Sequence, residues 1–115
     1  MSYKFKSRAT GDLLMLDATG KQILEILGKT PGEPGILTLE QIPGAISTLE
    51  EAVKLDDARR KAIEEARESG DGEKGKEAAH ESDLLGAVTL RQRAAPLIDM
   101  LRRSAAENKE VIWER

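Results

Sequence analysis

Four arginines, Arg91, Arg93, Arg102 and Arg103, surround an apolar run centred on a proline in LRQRAAPLIDMLRR, residues 90–103. Guanidinium groups hold phosphate and carboxylate through paired N–H donors, so these four are the candidate anion or partner contact. On a helical wheel of about 100° per residue, Arg91 and Arg102 fall together at one edge, Arg93 at the other and Arg103 beyond. They do not form one patch. Asp99, three and four residues before Arg102 and Arg103, is placed to pair with either. Leu90, Ala94, Leu97, Ile98, Leu101 and Ala105 share one side, with Met100 at its margin, and this stripe marks a core face. A core helix with a charged back is the favoured reading, and Arg91 beside Arg102 is the anion-binding reading in its sharpest form.

Other chemistries find less support. His80, the single histidine, sits in a glycine-rich stretch that offers nothing to hold it against a substrate. One histidine without cysteines leaves only carboxylates as metal ligands, and DGEKGKE lacks the full ligand pattern of a calcium loop. No metal or cofactor is expected. The acidic neighbours Glu50/Glu51, Asp56/Asp57 and Glu64/Glu65 diverge by about 100° on a helix and have basic residues one turn away, the pattern of a solvated, salt-bridged face. Neither GDGEKGK nor TPGEPG has the Gly-Lys-Ser/Thr ending of a phosphate loop, and no serine sits in a nucleophile elbow. With no catalytic constellation, the chain is expected not to be an enzyme.

The elements that would position these residues follow from periodicity. Tyr3 and Phe5 alternate with Lys4 and Lys6, the period of a half-buried strand, and LLMLD after the ATGD turn completes a hairpin joined near Thr10-Gly11. The alternation puts the aromatics and the lysines on opposite faces, so the rings belong to a core rather than to a base-stacking platform. Thr19 with Gln22 resembles a capping box, and Ile23, Leu24 and Leu27 lead to Gly28 at the place of a C-terminal cap, predicting a helix of about two turns. KTPGEPGI reads as a loop. Ile42, Ile46, Leu49 and Val53 draw one stripe down a helix starting near Pro43, which continues beyond Leu55 as an exposed, fraying helix.

From Ser69 to Ser82 the chain has no apolar period and three glycines, so a mobile linker is expected at 69–83. A second capping-box pattern, Thr89 with Gln92, starts the arginine helix before Arg91 and leaves Pro96 inside it on the solvent side. The competing reading is a strand at Val88 to Arg91 followed by a shorter helix opened by Pro96. Val111, Ile112 and Trp113 form a third strand, and Trp113 is expected to pin the chain end to the core.

Composition bounds the whole. The 115 residues fit one domain spanning 1–115, and with one Phe, one Trp and one Tyr the core must rest on aliphatic side chains. A net charge of −3 argues against a surface that is everywhere an electrostatic trap for nucleic acid or anionic membrane. Residues 40–83 carry 13 acidic and 7 basic side chains, whereas residues 84–115 carry 4 and 6, so the acidity lies in the middle. The absence of cysteine and of any run approaching about 18 apolar residues fits a cytoplasmic protein with no membrane partner. The expected architecture is α+β: a small antiparallel sheet, made of the N-terminal hairpin and the C-terminal strand, packed on about three helices.

YKFKSRATGDLLML, GKQILEILGK, EQIPGAISTLEEAV and LRQRAAPLIDMLRR before a terminal VIW together resemble the small bacterial family catalogued as domain of unknown function 1840. The resemblance implies one small domain and carries over no site residue. Two functions are weighed. The first is a non-enzymatic interaction or regulatory module whose exposed face meets a protein partner or another copy of itself. The second is weak nucleic-acid or anion binding through Arg91, Arg93, Arg102 and Arg103, with Lys4, Lys6 and Arg8.

Overall fold

A computed structural model describes residues 2–68 and 88–115. The expected 69–83 linker and His80 lie outside the described residues. The elements are β1 (Ser2–Ser7), β2 (Leu13–Leu16), α1 (Asp17–Ile26), β3 (Gly35–Leu37), α2 (Ile42–Glu68), α3 (Leu90–Ala106) and β4 (Val111–Glu114). All strands pair antiparallel in the order β2-β1-β4-β3, and three helices complete an α+β fold.

The register divides the sheet cleanly. Tyr3 faces Met15, Phe5 faces both Leu13 and Trp113, and Leu37 faces Val111, so these residues share the side covered by the helices. Phe5 and Val111 are fully buried and Tyr3 and Trp113 almost so, as the alternation of β1 and the apolar run of β4 predict. The Phe5 and Trp113 rings lie tilted with centroids 6.0 Å apart. Ile23, Leu24, Ile42, Leu49, Leu97 and Leu101 close this core from the helix side. Val53 of α2 packs with Leu90 and Ala94 of α3 in a second cluster along the helix pair.

Two local expectations are corrected. The segment read as a loop contains β3, a fourth strand at the sheet edge. Its proline and glycine disguise it: Pro34 precedes the strand, where an edge tolerates it, and Gly35 seats the indole of Trp113. A Cβ at Gly35 would meet Trp113 Cζ2 at 2.3 Å, so the glycine follows from ring packing and not from a turn. Helix α1 begins at Asp17, not at a Thr19 cap, because β2 passes directly into it; its N-cap, Leu16, makes no side-chain hydrogen bond. Asp17 in the first turn complements the helix dipole instead.

Other signals are realised as read. Thr89 caps α3 with Gln92 in a reciprocal capping box, Pro96 lies within α3 on its exposed side, and the alternative strand at Val88 to Arg91 is not formed. Gly28, at φ +74°, ends α1 with Gly28 N–H donating to Glu25 O and Lys29 N–H to Leu24 O. This is the two-bond Schellman arrangement. Helix α3 ends the same way, with Asn108 at φ +56° in glycine's place: Asn108 N–H donates to Ala105 O and Lys109 N–H to Ser104 O.

Helix α2 runs to Glu68, with Ile42, Leu49 and Val53 buried and Ile46 half-buried. Its second half is largely exposed as expected, except at Ile63, which is buried.

Candidate functional site

Capping fixes where the arginine helix starts, and the start fixes which way its cations point. Besides its own capping box, the end of α3 is held by α2: Asp56 Oδ2 accepts from Leu90 N–H at 3.1 Å and from Arg60 Nε at 2.8 Å. Arg60 also donates to Val88 O. One carboxylate therefore satisfies an otherwise orphaned helix N–H and a guanidinium at once.

With α3 docked on α2, Arg91 and Arg102 do line one groove, as their shared edge predicts. Glu50, Val53, Lys54 and Ile98 complete most of a hollow of about 230 Å³. Each arginine, however, reaches across to an acid of α2. Arg91 Nε and Nη2 both donate to Asp57 Oδ2, the former at 3.1 Å, and Arg102 Nη2 donates to Glu50 Oε1 at 3.0 Å. Asp57, which has the basic Lys61 one turn on in its own helix, pairs with Arg91 instead.

The other two arginines point elsewhere. Arg93 Nη1 donates to Gln22 Oε1 of α1 at 3.0 Å, and Arg103 Nε lies 3.5 Å from Asp99 Oδ2. Of the two pairings open to Asp99, the one four residues on is formed. Counted with these acids, the groove carries no excess of positive charge: Lys54, Arg91 and Arg102 stand against Glu50, Asp57 and Asp99. Its chemistry is that of an interhelical seam.

Among the described residues, no element covers the opposite side of the sheet. Leu14, Leu16, Ile36 and Ile112 stand on the face away from the helices, with Leu14 64% and Leu16 77% exposed. Lys4, Lys6 and Glu114 share that face, and Lys6 Nζ lies 2.9 Å from Glu114 Oε1. The pair holds the Lys6 ammonium above its ordinary pKa, first through the hydrogen bond to Glu114 and then through its charge, and holds the Glu114 carboxyl below its own by the same two causes. The four aliphatic residues were missed as a surface when the chain was read as a sequence. Period two along LLML already separates Leu14 and Leu16 from Leu13 and Met15, and that signal could have found half of them.

Two inner contacts hold this open layer in place. Ser104 Oγ donates to Met100 O at 2.7 Å, which leaves it to accept the Ser7 hydroxyl at 2.7 Å, joining the end of β1 to α3. Tyr3 lies on Gly20 of α1, where a Cβ would stand 2.3 Å from the ring, and its Oη accepts from Gly32 N–H at 2.8 Å. Arg115 lies over the Tyr3 ring at 5.9 Å and 3.0 Å from Asp17 Oδ1; the latter is a charge pair by distance without a directed hydrogen bond.

A family model described as domain of unknown function, DUF1840, matches residues 1–113. The chain belongs to the DUF1840 family. For DUF1840 this arrangement gives an α+β domain with helices on one face of its sheet. No curated protein and no solved structure matches the chain. Among the described residues, no group of His, Asp and Glu is placed to hold a metal ion, and no helix is long and apolar enough to cross a membrane.

Proposed function

We propose that this DUF1840 chain is a small non-enzymatic interaction module of the cytoplasm, working through the open face of its sheet. The observation that carries the reading is the exposure of Leu14, Leu16, Ile36 and Ile112 on one face while the helices cover only the other. Exposed aliphatic side chains gathered on a sheet face are what protein partners bury, and the neighbouring lysines would set orientation. The partner is another protein or a second copy of the chain. The reading through the α3 arginines is weaker, because Arg91, Arg93, Arg102 and Arg103 all have partners within the fold.

Light scattering combined with capture from host lysate tests the proposal, using the native protein beside a Leu14→Asp/Leu16→Asp variant. Self-association or a captured partner that the variant loses is the expected result. A native protein that stays monomeric and captures nothing, or a variant that binds equally well, removes the basis for the reading.

A further inference from the structure

Two cations without a side-chain partner among the described residues meet at one end of the sheet. Arg8, in the turn after β1, and Lys109, in the connection from α3 to β4, have no side-chain partner among the described residues. They come from segments about a hundred residues apart and meet around a hollow of about 630 Å³, which Lys6 and Asn108 also line. Lys6 directs one donor at Glu114, and an ammonium has three. Glu110 lines the hollow and Glu114 pairs with Lys6, so three cations stand against two acids there in a chain whose net charge is −3.

Asn108 lines the same hollow. Its φ of +56° satisfies the α3 cap, which glycine would do with less strain, as Gly28 does for α1. The side chain that glycine would lack lines the hollow and makes no hydrogen bond among the described residues. Asparagine is an ordinary residue at this left-handed cap position, and its exposed amide adds one more donor to the rim of the hollow.

We propose that Lys6, Arg8, Asn108 and Lys109 form a binding site for a small phosphate-bearing molecule. A guanidinium fork, two ammonium groups and an amide N–H₂ supply converging donors for phosphoryl oxygens. The hollow is in the size range of small-ligand sites and is larger than one inorganic phosphate fills. Ser7, tied through its hydroxyl to Ser104, fixes the end of β1 from which Lys6 and Arg8 project. The site lies apart from the α2–α3 seam and shares only Lys6 and Ile112 with the open sheet face, so it does not rest on that face binding a protein.

The test is an NMR titration of the full chain with inorganic pyrophosphate at low salt, run beside Arg8→Ala and Lys109→Ala variants. A parallel arm measures co-sedimentation with phosphatidylcholine vesicles containing phosphatidylglycerol. The expected result is amide shifts centred on residues 6–8 and 108–110, binding weakened about tenfold by either substitution, and progressive loss with added salt. Asn108→Gly, which keeps the cap and removes the amide, should weaken binding without unfolding the protein. The proposal is overturned if pyrophosphate shifts the α3 arginine amides equally, if the substitutions leave binding unchanged, or if the protein sediments with vesicles yet ignores pyrophosphate.

Discussion

The α2–α3 groove and the β1/β4 end of the sheet each gather three cations around a hollow, yet they are built to opposite ends. In the groove Arg91 and Arg102 meet Asp57 and Glu50 across an interface already closed by Val53, Leu90 and Ala94. At the sheet end Arg8 and Lys109 have no ion-pair partner among the described residues although Glu110 lines the same hollow, and Lys6 pairs with Glu114. The difference lies in what stands opposite. Two helices packed side by side present complementary residues along their whole length, whereas the end of a sheet covered on one face has no facing layer to supply counter-charges. A cluster of arginines in a sequence is therefore a poor guide to an anion site when a long acidic helix is available to dock against it.

The largest expected difference lies between the side of the sheet that the helices cover and the side they leave exposed. Leu97→Ala removes a side chain that is fully buried between helices and sheet and should cost about 2–5 kcal/mol in urea denaturation. Leu16→Ser, at the open face, should shift stability by no more than about 0.5 kcal/mol. Equal losses would mean that the open face is itself part of the folding core.

A smaller contrast separates the ion pairs of the seam. Asp56→Ala strands the Leu90 N–H and removes the carboxylate that pairs with Arg60, and because that carboxylate is only 15% exposed the loss should be about 1–3 kcal/mol by the same measurement. Arg102→Ala breaks a pair whose arginine is 59% exposed, and should cost less than about 1 kcal/mol. The reverse order would show that the seam depends on its rim rather than on the shared carboxylate.

The smallest effect concerns Lys6 and Glu114. Glu114 is held below its ordinary pKa, so its contribution is complete above the usual glutamate range and disappears as pH falls through the lowered value. Lys6 is held above its ordinary pKa, so its contribution is complete below the usual lysine range and disappears as pH rises through the raised value. The pair thus acts across the window between those two ranges. In an NMR titration, Lys6→Met should move the Glu114 carboxyl back up toward its ordinary value; an unchanged titration would mean that the two charges do not meet in solution.

Local signals were legible in the sequence with the exception of the Thr19–Gln22 cap, and signals depending on distant partners were not. The period of two in SYKFKS, the Thr89–Gln92 capping box and Gly28 each involve residues within a few positions, and each is realised. The wheel also placed Arg91 and Arg102 at one edge correctly. It could not name Asp57 and Glu50 as their partners, because those acids lie 34 and 52 residues away and depend on how α3 docks. Strand β3 escaped for a related reason: Gly35 is explained only by Trp113, which meets it across the sheet from the far end of the chain. The unpaired Arg8 and Lys109 likewise become one site only when the register of β1 with β4 brings them together.

That register has a topological consequence. Lys4 stands opposite Glu114 in the two central strands, so the start of β1 and the end of β4 lie side by side. A short peptide joining residue 115 to residue 2 would bridge neighbouring strand ends, and new ends could then be opened between residues 68 and 88. In such a circular permutant β4 would run through the linker into β1 as a hairpin. The central pair of the sheet would then become a contact between chain neighbours, and the order in which the sheet and the helix pair assemble could be set independently of the contacts that hold them.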